Sequence, residues 1–528
     1  MAAGSAVSPL KPGNQSEPAG PLPHLEWVAL VVLCSAKLLL HVFTSVQRYG
    51  HFRDELYYMD LGRHLAFGYV DCAPLIAVYA RVALMLGGSL AALRILPALA
   101  GTVLVALSIL IARELGGRRY AQWLTGVIVL LCPAVVIGDS LLTMNAFEPL
   151  FWTGCVWVVA RFLRTGDSRL WIWFGVLAGL GLENKHSTMF FGAAVAAALL
   201  LTEHRREFLK PWIWIGVAAM LALAAPNVVW QARHHYPMLE DMENVKRTHK
   251  NVVLGPAAFV WHQIVDVHPI LFPVWLAGAI WLLWRRRWRV LGLTFVVLFV
   301  LMELMHGKEY YLFPIYPMVL AAGAVAIAGW LAGLRRPAMA ASLRAAIVVV
   351  IAVATAAFLP FATWMLSPEN FVAYARAIGF MPKQMETHQR AALPQPMADQ
   401  FGWPEMVAQI AGIYDSLPPA ERAKTGIIAG NYGEAGSVDF WGPKYGLPTA
   451  ISGHQNYFFW GPPREHYDNF IVIQWSEGDV KEACTSYRGF PHESEWGMDE
   501  ENTPIYLCMG AKFDPRVPRV WAELKHWN

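Results

Sequence analysis

For its first two thirds the chain alternates long apolar runs with short charged ones. Apolar runs fall near 25–45, 89–112, 121–138, 144–163, 170–184, 187–202, 211–230, 268–284, 289–305, 311–333 and 343–366. A helix needs about 20 apolar residues to cross a bilayer core, so this pattern predicts about eleven transmembrane helices. Two shorter apolar segments, 74–87 and 254–266, predict helices lying on the membrane surface. After 366 the texture changes. TGIIAGNYGEAGSVDFWG, PTAISGH, NFIVIQWSE and PIYLCMGAKF are short β-branched and aromatic runs separated by Gly and Pro, which predicts a small α/β domain. Within it, Gly430 to Ala435 reads as a strand end entering a helix. The first 24 residues are rich in Pro, Gly and Ser and predict a disordered tail rather than a signal peptide. The expected division is therefore a tail at 1–24, a membrane domain at 25–366 and an exported domain at 367–528.

The charged loops orient this pattern. ARELGGRRY (112–120), RFLRTGDSR (161–169), EHRREFLK (203–210), RRRWR (285–289) and LRRPAMAASLR (334–344) are short and basic, and each follows an even number of spans. The positive-inside rule puts all five in the cytoplasm. It puts the N-terminus there too, and leaves loop 46–88, loop 231–267, HGKEYY (306–311) and everything after 366 outside. The expected location is a bacterial plasma membrane.

Composition agrees. The 528 residues are 56% hydrophobic and only 15% charged, against roughly 25% charged in soluble domains. Mean hydropathy is +0.37. A net charge of +3 gives no ground for a nucleic-acid partner. No phosphate-binding GxxxxGK[ST] motif occurs, which argues against ATP-driven transport, and no CxxC pair or zinc-finger spacing is present. Cys34, Cys132 and Cys155 lie in apolar runs and read as buried hydrophobes. Cys484 and Cys508 fall in the exported part, where a disulfide is open to them.

Candidate chemistry concentrates on the outer side. HFRDELYYMDLGRHLAFGYVDCAPL (51–75) carries adjacent Asp54 and Glu55 just past the first span. A helix from 54 to 66 would place Asp54, Tyr58, Leu61 and Leu65 on one face and lie in the interface. Asp54 at its first turn is either a cap favoured by the helix dipole or a catalytic carboxylate. Arg94, Lys185 and Lys308 sit at outer ends of apolar segments. Each alone reads as a snorkelling cation. Together, beside paired carboxylates, they suit a phosphate. Asp139, Asn145 and Glu148 in IGDSLLTMNAFEPLFW form a second acidic outer loop, either solvated or part of an acceptor site. Lys37 and His41 in the first span read as interior polar contacts, and Tyr457-Phe458-Phe459-Trp460 as core or as a surface for stacking sugars.

RDELYYMDLGRHLAFGYVDCAPL, LRILPALAG and HGKEYYLFPIYP, taken together, resemble the membrane glycosyltransferases of family 39. These include the protein O-mannosyltransferases and the aminoarabinose transferases of lipid A. The resemblance covers about residues 25–330. It implies a GT-C fold whose active site faces away from the cytoplasm, and inverting transfer of a sugar from a polyprenyl-phosphate donor to an acceptor hydroxyl on a lipid, glycan or protein. It also implies that Asp54 is the catalytic base and Glu55 its companion. Arg94 and Lys308 would then be donor-phosphate ligands, and Tyr310 or Tyr311 a wall of the donor site. Many relatives have Pro-Pro-Leu where this chain has Asp71-Cys72-Ala73-Pro74-Leu75, and Lys185 is the residue placed to compensate. No cofactor or metal is expected, although carboxylates beside a phosphate leave a divalent ion open. The rival class is a polytopic lipid or solute transporter or flippase. Against it, the chain shows no inverted repeat.

Overall fold

The structure is a computed structural model that describes residues 21–45, 48–250, 252–380, 392–497 and 502–527. Most of the tail expected at 1–24 lies outside the described residues.

The fold is mostly helical, and each apolar run named above contains a helix. Among the described residues, six helices are long and apolar enough to cross a membrane: Trp27–Thr44, Leu90–Glu114, Met144–Thr165, Pro211–Arg233, Glu309–Ala332 and Pro337–Phe361. A seventh candidate is the pair Pro256–Val267 and Pro269–Trp284, bent by 95°. Its corner has a local cause. Pro269 supplies no N–H and crowds the residue before it, and His268 takes φ 112° there while its Nδ1 accepts the Ile270 N–H at 3.1 Å. Leu170–Asn184 and Thr188–Leu200 are apolar but shorter, 15 and 13 residues, so neither reaches the roughly 30 Å of a hydrocarbon core unaided.

Side chains tie the five basic loops together at one end of the bundle. Glu114 pairs with Arg164, and Lys210 donates to Ser168 at 2.9 Å. Arg286 pairs with Glu203 at 2.6 Å, and the Tyr120 hydroxyl donates to the Arg344 carbonyl at 3.2 Å.

The opposite end carries a five-stranded sheet. Its strands are β1 (Thr425–Ala429), β2 (Ala450–Ile451), β3 (Asn469–Ile473), β4 (Cys484–Phe490) and β5 (Ile505–Ala511). Their order is β2-β1-β3-β5-β4; β1 is parallel to β2 and β3, and β5 is antiparallel to β3 and β4. The four apolar runs account for β1, β2, β3 and β5. The edge strand β4 reads CTSYRGF and is mostly exposed, with no apolar alternation to announce it. A disulfide joins Cys484 to Cys508.

The segment after β1 explains how the sheet meets the membrane part. Asn431 caps the helix Tyr432–Trp441 with its side chain, accepting the Gly433 N–H at 2.8 Å. That helix lies directly on the acidic helix Arg53–Arg63. A Cβ at Gly436 would stand 3.1 Å from the Leu56 carbonyl carbon, so a side chain there fits only if the acidic helix gives way by a few tenths of an ångström. One apolar core runs through both parts. Leu56, Tyr57, Met59, Ile76 and Leu93 pack with Trp403, Ile410, Ile427, Ile471 and Leu507. The acidic helix is thus an interior element, buried from Glu55 to Gly62, rather than one lying in the interface. It ends at Arg63, so Leu65 leaves the expected face and is exposed.

Candidate functional site

Asp54 and Glu55 are adjacent, yet a turn of about 100° sends them to different surroundings. Glu55 faces inward and is fully buried. Its Oε1 accepts the Leu142 N–H at 3.0 Å and Arg94 Nε at 3.1 Å. Its Oε2 accepts Arg94 Nη2 at 3.0 Å and the Phe52 N–H at 3.0 Å, which caps the helix. Burial alone would raise its proton affinity, but Arg94 and these N–H groups outweigh it and hold the carboxyl below its usual range. Arg94 is used just as fully. It donates to the carbonyls of Ser45 and Gly50 and, at 2.9 Å, to Gln400 Oε1. The pair stitches the loop after the first span, the 142 turn and the C-terminal part into one piece.

Asp54 faces the C-terminal helix instead. The Tyr432 hydroxyl donates to its Oδ1 at 2.8 Å. The Tyr432 ring is stacked between Tyr57 at 4.6 Å and His454 at 5.1 Å, with the Arg53 guanidinium 5.7 Å from its centroid. The His454 Nδ1 accepts the Tyr432 backbone N–H at 3.1 Å, which fixes both rings. The Tyr57 hydroxyl donates to Asp71 at 3.0 Å and accepts from Asn456 Nδ2 at 3.1 Å. Burial first, and then the charge of Asp241, push Asp71 up to about 7. Asp241 is itself held by Gln455 Nε2 at 3.0 Å. Farther along the acidic helix, the Tyr457 hydroxyl joins Asp60 at 2.5 Å to Asp439 at 3.2 Å, and burial raises both carboxyls.

A second cluster gathers the lysines. Lys185 Nζ donates to Asn145 Oδ1 and to Glu148 Oε2, both at 2.8 Å. It stands 4.7 Å from the Tyr311 ring centroid and 5.5 Å from that of Tyr310. Lys308 Nζ is 5.9 Å from the Tyr310 centroid, and the two tyrosine rings meet edge to face at 4.9 Å. Ser187 donates to the other oxygen of Glu148. Two ammonium groups thus lie over one pair of tyrosine rings, and Glu148 balances the charge of Lys185. The turn at 142–148 links the clusters, since Leu142 serves Glu55 and Glu148 serves Lys185.

Residues 71–230 match the family model described as dolichyl-phosphate-mannose-protein mannosyltransferase. The fold matches the apo crystal structure of ArnT from Cupriavidus metallidurans with TM-score 0.57 and 16% identity, covering 95% of this chain and 100% of that one. The same protein bound to undecaprenyl phosphate matches with TM-score 0.56 and 14% identity, covering 91% of this chain and 97% of that one. The chain has the fold of these membrane proteins, and a glycosyltransferase family model matches residues 71–230 of it. No curated protein sequence matches it.

Within this fold the expected site residues divide into three groups. Asp54 stands with Tyr432. Glu55 and Arg94 form a buried structural pair, with Arg94 turned to protein acceptors and away from the lysine cluster. Lys185, Lys308, Tyr310, Tyr311, Asn145 and Glu148 come together. Asp139 leaves the acidic loop expected to contain it: it pairs inside the bundle with Lys37 at 3.0 Å, both side chains buried. Tyr432, Asp71, Asn456 and Gln400 are partners that sequence reasoning misses. The departure from Pro-Pro-Leu marks Asp71, but no local signal marks Tyr432, 378 positions from Asp54. Among the described residues, no group of three His, Cys, Asp or Glu side chains is disposed to hold a metal ion.

Proposed function

We propose that this protein takes a sugar from a polyprenyl-phosphate donor and transfers it, with inversion, to an extracytoplasmic acceptor hydroxyl. Asp54 is the base that accepts the proton of the attacking hydroxyl. Lys185 and Lys308 stabilise the negative charge that grows on the leaving phosphate, and Tyr310 and Tyr311 line the donor. Arg94 and Glu55 do not touch the reactants; they fix the acidic helix so that Asp54 keeps its place. The observation that carries this reading is the separation of roles at Asp54 and Glu55: one carboxylate is bound wholly into the fold, and its neighbour faces a built aromatic wall. The ligand named for the ArnT structure, undecaprenyl phosphate, has the chemistry expected of the product here.

The orientation belongs to the same proposal. The chain crosses a bacterial plasma membrane about eleven times with the five basic loops in the cytoplasm, so Asp54 and residues 367–528 lie outside. Supporting this, those loops touch one another at the end remote from the sheet, and the disulfide Cys484–Cys508 suits an oxidising compartment.

The deciding experiment incubates purified full-length protein with lipid-linked sugars and membrane acceptors and follows release of polyprenyl phosphate. Release that depends on acceptor and on Asp54 is expected. Sugar-lipid translocation without release would replace the proposal with transport.

A further inference from the structure

The first long helix, Trp27–Thr44, buries a stripe of Ala29, Leu33, Lys37, His41 and Thr44, one residue per turn. Three of these five are polar, in a helix apolar enough to cross a membrane. The Lys37 side chain is fully enclosed, and its Nζ lies 3.0 Å from Asp139 Oδ2, on a side chain that is only 1% exposed. Stability does not require such a pair. Desolvating two charges offsets most of their attraction, and apolar side chains of similar volume often serve as well. The surroundings are nevertheless shaped for the charges. A Cβ at Gly101, on the helix Leu90–Glu114, would stand 2.2 Å from Asp139 Oδ2 and 2.9 Å from Lys37 Cε. The pair occupies the room that this glycine leaves.

What a buried charge pair supplies is register. Apolar side chains pack in several alignments, whereas a carboxylate opposite an ammonium in a low-dielectric interior accepts one. The register set here is that of a turn. Asp139 stands where the short helix Pro133–Gly138 stops. The Ser140 hydroxyl beside it donates to the Val136 carbonyl at 2.7 Å and lies 3.5 Å from His41 Nδ1, so the stripe on the first helix touches the turn twice. Two residues farther on, the Leu142 N–H donates to Glu55 Oε1. Glu55 is the carboxylate bound wholly into the fold, and Asp54 is its neighbour on the same helix. A line of direct contacts therefore runs from Lys37 through Asp139, Leu142 and Glu55 to the helix that carries Asp54.

We propose that Lys37 and Asp139 are positioning residues: their ion pair braces the turn 139–142, and through Leu142 and Glu55 it holds Asp54 where the acceptor hydroxyl must meet it. Neither residue touches the reactants. The assignment rests on the reading of Asp54 as the base and adds to it two residues, one of them in the first helix, that set its place.

The test compares the full-length wild type in lipid nanodiscs with two variants. Lys37→Met combined with Asp139→Leu replaces the pair by apolar side chains. Gly101→Ala keeps both charges and drives a methyl group against them. Hydrogen exchange of peptides covering 139–148 reports on the Leu142 N–H. Exchange there is expected to be about tenfold faster in both variants, while the apolar pair keeps the wild-type melting temperature. Turnover per folded molecule should fall by about 10²-fold, the loss that a misplacement of roughly 1 Å can cause. The donor KM should stay within about twofold, since the lysine cluster is untouched. Wild-type exchange in both variants overturns the brace. Faster exchange with wild-type turnover per folded molecule overturns the positioning role and leaves a structural contact. If the apolar pair does not fold, Gly101→Ala decides by the same two readouts. Wild-type protein that releases no polyprenyl phosphate from any donor overturns the transferase reading instead, and the exchange rates then decide the brace without it.

Discussion

At the residue scale, one oxygen of Asp54 is held by the Tyr432 hydroxyl, while both oxygens of Glu55 belong to Arg94 and to backbone N–H groups. The two carboxylates should therefore fail differently. Asp54→Asn is expected to lower turnover by about 10²–10⁴-fold, the usual worth of a general base, with the melting temperature of the purified protein unchanged. Arg94→Ala leaves Glu55 buried without its cation, and breaking such a pair costs about 3–5 kcal/mol; thermal unfolding in detergent should show that loss at once. Asp71 adds a pH dependence. Its folded-state proton affinity is raised to about 7 from an ordinary 3.8, by burial and by Asp241. Its stabilising contribution is thus complete below about pH 4 and is lost as pH rises through about 7. Asp71→Asn should flatten the decline in melting temperature between about pH 4 and pH 7, and equal slopes in the two proteins would exclude it. The motif around Asp54 is legible from sequence because its members are neighbours. Arg94 shows why legibility stops there. A cation near the outer end of a span has the same sequence signature whether it meets a ligand phosphate or a buried glutamate.

At the element scale, the pattern of apolar runs recovers the helices of the bundle and four of five strands, since hydrophobic length and alternation are local properties. The surroundings of the helix Arg53–Arg63 are not local. Its polar sequence reads as a surface element, yet it is enclosed because Tyr57, Asp60 and Glu55 all find partners on segments hundreds of residues away or across the bundle. Contact between this helix and Tyr432–Trp441 depends on Gly436. Gly436→Val should push the helices apart and move Tyr432 from Asp54. Transfer is expected to fall at least tenfold while far-ultraviolet circular dichroism stays at the wild-type value. Lys185→Ala, on the other cluster, should instead weaken use of the donor, seen as a higher KM for the sugar lipid.

At the scale of the whole molecule, basic loops occupy one end and the sheet, the disulfide and both polar clusters the other. A cysteine introduced at Asp167 should resist a membrane-impermeant maleimide in intact cells, and one at Arg516 should react; the reverse pattern would invert the proposed orientation. Replacing Cys484 and Cys508 by serine is expected to cost about 2–4 kcal/mol, the typical worth of a disulfide, measured by denaturation of the full chain with and without reductant.

The hydrogen bond between residues 54 and 432 has a temporal meaning as well as a spatial one. Asp54 leaves the ribosome early and Tyr432 late, so in the proposed orientation a growing chain carries the carboxylate across the membrane long before its partner is made. Under the proposed mechanism, catalytic competence is consequently a property of the finished polypeptide. A chain arrested after its last membrane helix would be inserted and anchored, yet silent.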